Sequence, residues 1–133
     1  MANEAILRTE TELPVNMTVD NATAIEKGTL LQVSDANAVH VATGSGVAFA
    51  GIAASEKIAN DGITSIAVYK RGKFDLVQVS GAASITVGQI VSLSGQNLIK
   101  TATEAEIAAG GAVGKAMETA TGNERIQVML GYI

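Results

Sequence analysis

Proton transfer, covalent catalysis and metal binding each need particular side chains held close together. In this chain the residues whose types could serve are His40, Ser55 and the acids Asp20, Glu26, Asp35, Asp61 and Asp75. His40 is the only histidine, and it stands in the alternating run Val39-His40-Val41, which predicts a solvent-facing strand position rather than a base. The acids occur singly among expected turns and strand ends, without the ladder of oxygen ligands that a calcium loop requires. A hydrolase using Ser55 or Asp61 would lack its base. The absence of cysteine removes thiolate nucleophiles, disulfides and zinc-thiolate sites together. The expectation is a protein that is not an enzyme, with no catalytic residue, no cofactor-binding residue, no cofactor and no metal ligand.

Binding chemistry is equally sparse. Gly44-Ser-Gly46 and Gly110-Gly111 lack the order of strand, glycine loop and helix that cradles a phosphate, and no Gly-Lys-Ser/Thr follows either. Lys70, Arg71 and Lys73 are the only clustered cations; around Gly72 they read as a solvated turn between two strands. With a formal net charge of −4, nucleic acid is not an expected partner. Neither is a membrane, because no stretch approaches the roughly 20 apolar residues needed to cross one. The first part of the chain carries Glu4, Arg8, Glu10, Glu12 and Asp20 in place of an apolar run, so no secretory signal is visible. A soluble protein made in the cytoplasm is expected, and the acceptor patterns at Asn16 and Asn21 are read as chance.

The elements that would hold any site come from a duplication. Ile25, Gly28, Leu30, Leu31, Val33, Ser34, Asn37, Val39, Ala42 and Thr43 recur 60 residues later as Ile85, Gly88, Ile90, Val91, Leu93, Ser94, Asn97, Ile99, Ala102 and Thr103. Gly51 and Ala53 find their partners at Gly114 and Ala116, after which Ile66 and Val68 match Ile126 and Val128. Self-similarity of this kind organises a whole fold, and here it predicts two copies of one small β unit. Asp35-Ala-Asn37 and Gly95-Gln-Asn97 are turn chemistry, giving one hairpin per copy with return strands over 39–41 and 98–101. Gly28 and Gly88 are expected to turn the chain with positive φ before each hairpin.

The copies then diverge. Thr103-Glu-Ala-Glu106 is a capping box that predicts a short helix from Glu104 to about Ala109, ended by Gly110 and Gly111 in the left-handed conformation. The first copy has Gly44-Ser-Gly46 in its place and a longer loop over 55–62. Strands are expected over 64–70, 74–79 and 126–130, the last keeping Tyr132 and Ile133 paired.

Before the repeats, residues 8–20 alternate, with Thr9, Thr11, Leu13, Val15, Met17 and Val19 on one face and polar residues on the other. Pro14 cannot donate to a ladder, so this strand belongs at a sheet edge or along another surface. At about 3.3 Å per residue it could reach roughly 40 Å and touch a neighbour; an edge strand of its own domain is the equal alternative. The expected organisation is an extended N-terminal arm over 1–23 and a single β domain over 24–133 made of two pseudo-repeats, 24–80 and 84–133. The fold class is mainly β, a small barrel or sandwich of two pseudo-repeats with one short helix. Without Trp and with two Tyr and two Phe in 133 residues, its core must be aliphatic, and part of its stability is expected from neighbouring subunits.

Met1-Ala-Asn-Glu4, Ile25-Glu-Lys-Gly28-Thr-Leu-Leu31, Phe49-Ala-Gly51-Ile-Ala53 and Val68-Tyr-Lys-Arg-Gly72 together resemble the decoration, or capsid cement, proteins of tailed phages, over nearly the whole chain. That resemblance implies a β-rich homotrimer on the outer surface of a virion head, with the major capsid protein and further copies of itself as partners. The alternative is a noncatalytic carbohydrate-binding or host-attachment module of a virion, for which Phe49, Tyr69, Phe74 and Tyr132 offer few aromatic platforms.

Overall fold

Short alternating runs bounded by Gly, Asn and Asp give short strands, and their long-range pairing decides the architecture. The computed structural model describes residues 3–79, 81, 83–122 and 124–131. In chain order it contains β1 (Ile6–Thr9), β2 (Val15–Thr18), β3 (Leu30–Asp35), β4 (Ala38–Val41), β5 (Phe49–Ala53) and β6 (Ser65–Tyr69). These are followed by β7 (Gly72–Gln78), β8 (Ile90–Leu93), β9 (Leu98–Thr101), α1 (Glu104–Ala108), β10 (Ala112–Ala116) and β11 (Arg125–Leu130). Strands β2-β4-β3-β5-β6 close into one barrel; β7-β11-β10-β8-β9 close into a second, with β1 added along β7. Every pairing in one barrel has its counterpart in the other, including the parallel pair that closes each ring, β2 with β4 and β7 with β9. The mainly β fold of two pseudo-repeats is thus a tandem of closed five-stranded barrels.

The seam between the units lies elsewhere than the sequence suggested. The segment 1–23, expected as an extended arm, is divided between the barrels: β1 lies along β7 and β2 is a stave of the first barrel. β7, expected to finish the first repeat, opens the second, so the barrels span 15–69 and 72–130 rather than 24–80 and 84–133. The physical reason is that period two identifies a strand but not its partner. Val15 pairs with Val68 as Phe74 pairs with Val128, and only these distant pairings show β2 and β7 to be equivalent. Pro14 falls one residue before β2, where its missing N–H costs no ladder bond. The Lys70-Arg71-Gly72 turn accordingly joins two barrels and not two paired strands.

The hairpins and the helix fall where expected. Asn37 and Asn97 take the turn position at φ 54° and 59°, and Thr103 and Glu106 form the reciprocal capping box. Gly28 and Gly88 have φ of 90° and 92°, and Gly110 ends α1 at 85°. Gly111 differs from expectation. It serves close packing instead of a left-handed turn, since a Cβ there would lie 2.9 Å from the Val47 carbonyl oxygen. Tyr132 and Ile133 lie outside the described residues.

Aliphatic side chains fill both interiors. Val19, Ile25, Leu31, Val39, Ala50, Ala53, Ile66 and Val68 form the first core. The second core is larger, because Leu30, Ala42 and Ile52 from the outer face of the first barrel join Leu93, Val113, Phe74 and Leu130 of the second. One buried hydrogen bond fixes this joint: the Leu30 N–H donates to Asn97 Oδ1 at 2.9 Å. The strap β1 completes it, with the Ala5 N–H donating to the Gly28 carbonyl at 2.8 Å.

The strap also separates two otherwise equivalent glycines. A Cβ at Gly28 would sit 2.6 Å from the Ala5 carbonyl oxygen, whereas a Cβ at Gly88 meets no atom within 4 Å. Gly88→Ala should therefore cost only the backbone strain of its positive φ, about 1 kcal/mol. Gly28→Ala should cost more and release the strap. Denaturant unfolding of both variants, with proteolysis of residues 3–12 as the second readout, checks the difference; equal costs with an intact strap would refute it.

Candidate functional site

Of the residues that could do chemistry, Asp20 and His40 line one groove, which Ser55, Glu26, Asp35, Asp61 and Asp75 do not join, and most are bound in structural contacts. His40 lies half-buried on β4, with Nδ1 2.9 Å from the Val41 carbonyl oxygen. Asp20 accepts from the Ala22 N–H and the Thr23 hydroxyl, each at 3.3 Å, as a turn residue does. Asp35 accepts from the Ala36 N–H at 2.8 Å. Ser55 is exposed on its loop. Among the described residues, no three of His, Cys, Asp and Glu gather where they could hold a metal ion.

Asp61 sits in a turn as expected and also holds a buried cation, while Asp75 departs from the turn or strand-end place expected of it. Asp61 pairs with Lys57 at 3.1 Å; the Ile63 N–H that it accepts, with Lys57, holds its carboxyl below the ordinary 3.8 against the opposing effect of burial. Asp75 stands in mid-β7, buried, and pairs with Arg8 of the strap at 2.9 Å. The strap is further tied by Tyr69, whose hydroxyl donates to Glu10 Oε2 at 2.8 Å. That carboxylate, together with burial, raises the phenol above its ordinary 10.0.

Lys57 had no signal in the sequence beyond its place in a loop. It is 1% exposed, and its Nζ donates to the Asn21 carbonyl (2.7 Å), the Ile58 carbonyl (3.0 Å) and Asp61 Oδ1 (3.1 Å). Its position is explained by the repeat. Ile25 bridges to Lys57 as Ile85 bridges to Ala120, so the aliphatic stem of a lysine closes one barrel end where an alanine closes the other. The extra residues that carry α1 in the second copy move this equivalence off the 60-residue offset of the hairpins, as they do for Gly51 and Gly114.

Among the described residues, two features stand out as able to receive a partner. One is an open groove of about 600 Å³ beside the parallel closure of the first barrel, lined by Thr18, Asp20, Thr23, Ser34, His40 and Thr43 among others. The other is apolar surface on the N-terminal segment, where Ile6, Leu7, Val15 and above all Leu13, at 77%, stand in solvent. Aromatic platforms are scarce, since Phe74 is buried and Tyr69 meets it edge-on with ring centroids 5.6 Å apart. The chain matches no protein-family model and no curated protein.

The most perturbed group belongs to a structural clip. Glu106 on α1 pairs with Lys100 of β9 at 2.7 Å and accepts from the hydroxyls of Ser92 (3.2 Å) and Thr103 (3.0 Å). Burial opposes ionisation, yet Lys100 and the Thr103 donors win and hold its carboxyl down to about 2 from an ordinary 4.5. A lowered folded value means that the clip contributes its full stability above pH 4.5 and loses it as the pH falls towards 2. Thermal midpoints of wild type and Glu106→Gln should therefore differ at neutral pH and converge in acid; a constant difference down to pH 2 would show that ionised Glu106 is not the stabilising form.

Proposed function

We propose that this chain is a noncatalytic structural protein that binds other polypeptides, and specifically a capsid decoration protein that sits on the outer surface of a phage head and braces neighbouring copies of the major capsid protein. The observation that carries this reading is the N-terminal segment. It is held on two filled barrels by hydrogen bonds and the Arg8–Asp75 ion pair, yet Ile6, Leu7, Leu13 and Val15 keep apolar surface in solvent between positions 6 and 15. These four residues fall on β1, on β2 and between them, and grouped apolar surface marks protein contacts more often than scattered single residues do. An extended edge can also accept or donate a strand at modest side-chain demand.

Self-association into a homotrimer belongs to the same proposal, because weak contacts to a shell gain from being repeated on one rigid body. The groove beside β2 and β4 favours a second reading, a noncatalytic carbohydrate-binding or host-attachment module, through its Thr and Ser hydroxyls. Binding of glycans to the wild type that is lost in Thr18→Val would support that reading over the first.

The decisive experiment uses heads assembled without this chain and then incubated with purified protein. Wild type should co-sediment and appear by electron microscopy at fixed positions on the outer surface. The truncation to test removes only residues 1–9, because β2 is needed to close the first barrel. It should leave both barrels folded and lower occupancy at least about tenfold, the scale of losing a hot-spot contact. Undiminished occupancy would show that the strap is not the contact, and protein left in the supernatant would overturn the proposed function.

A further inference from the structure

The joint between the two barrels is heterologous. The first barrel offers the side of its sheet, a row formed by Ala42, Leu30, Ile52 and Tyr69 on neighbouring strands. The second offers an open end, the turn around Asn97 with the inward residues Leu93 and Phe74 behind it. Because the barrels are copies, each also has the surface that the other uses. The second barrel has the corresponding row Ala102, Ile90, Lys115 and Met129, all half-buried. The first barrel has the corresponding end, the turn around Asn37, with Val33 and Val15 in the places of Leu93 and Phe74.

Both unused surfaces show what is missing. Val33 and Val15 are each 43% exposed, whereas Leu93 and Phe74, covered by the first barrel, are at 0% and 2%. Asn37 has the same left-handed turn geometry as Asn97, but its side chain is exposed instead of capping a strand N–H. The row on the second barrel differs from its counterpart chiefly by Lys115, and the turn that would meet it carries the exposed Asp35, opposite in sign.

We propose that a second copy of this chain docks by repeating the internal joint, the Asn37 end of one copy covering the Ile90 row of the next, with Asn37 Oδ1 accepting from the Ile90 N–H. A side-on-end contact leaves one free surface at each extremity, so it propagates until it closes. Three chains joined in this way form a ring of six barrels. The contact supplies the surface for the self-association proposed above and rests on that reading for its purpose. Its test contains no capsid, so self-association can fail while shell binding stands.

The test uses full-length protein at micromolar concentration in sedimentation velocity and light scattering. Wild type should be self-associated. Val33→Asp spoils only the end and Ile90→Arg only the row, and each should weaken association at least about tenfold with unchanged circular dichroism. Mixed in equal amounts, the two variants retain one intact end and one intact row between them and cannot close a ring, so they should go no further than a dimer. Asn37→Gly removes the exposed carboxamide while keeping the left-handed turn at φ 54°, so it weakens association with the hairpin intact and serves if Ile90→Arg disturbs the barrel. A monomeric wild type, full assembly of Val33→Asp or Asn37→Gly, or a mixture that assembles beyond a dimer would overturn the proposal.

Discussion

A five-stranded barrel is filled from within by its own side chains, but its ends must be closed by something else. Here one end of the second barrel is closed by the flank of the first, through Leu30, Ala42 and Ile52, and the rest of the architecture depends on that contact. It draws the outer face of one copy into the core of the other, and it buries the Leu30 N–H, which would be costly without the Asn97 carboxamide that receives it. The strap then seals the rim. Arg8 reaches Asp75, Glu10 reaches Tyr69, and the Ala5 amide reaches Gly28, so one short segment holds both barrels in a single relation.

Close backbone packing serves where large rings are absent. Gly51 and Gly114, matched across the duplication, each face the carbonyl of the neighbouring strand so closely that a Cβ would lie 2.4 Å from Tyr69 O or 2.2 Å from Met129 O. Differences between the copies follow their surroundings. The helix with its Glu106-Lys100 clip covers Ser92, which is buried, while Gln32 at the corresponding position holds Thr43 directly by accepting its N–H at 3.1 Å. One polar side chain in the first copy does locally what a helix, an ion pair and two hydroxyls do in the second.

Local features of this fold were legible in the sequence because they depend on local physics. Turn residues with positive φ at Asn37 and Asn97, the capping box at Thr103 and Glu106, and the glycines before each hairpin are all set within a few residues of themselves. The partner of β2 was not legible, because alternation from 8 to 20 looks the same in an arm, an edge strand or a barrel stave; Leu13 and Val15 share the apolar phase of Val19 yet point into solvent. The burial of Lys57 was hidden for a related reason, since the remote Asn21 carbonyl joins the local oxygens of Ile58 and Asp61 at its ammonium only after folding. Asp75 was misassigned because its partner Arg8 is remote in sequence. Of the candidate contact surfaces, only Leu13 and Val15 lay within the apolar alternation over 8–20, since Ile6 and Leu7 of the strap precede it; the groove at His40 and the row at Ile90 arise from closure and could not be read from spacing.

The magnitudes favour a contact between copies that is weak singly and effective when repeated. Fully burying a valine is worth roughly 1.5–3 kcal/mol, so covering what remains exposed of Val15 and Val33 yields about 1 kcal/mol each, and the side-on row adds a comparable amount through Ile90 and Met129. Against this stands the cost of association, about 4 kcal/mol or more in lost rigid-body freedom. A lone pair of chains is therefore marginal. Closing a ring changes the balance, because the last contact forms within an assembly already held together and costs no further freedom of that kind. An outer face that differs from the inner one by a lysine and an aspartate suits such a contact, which is more polar and less buried than the internal joint of Leu30, Ile52 and the Asn97 carboxamide.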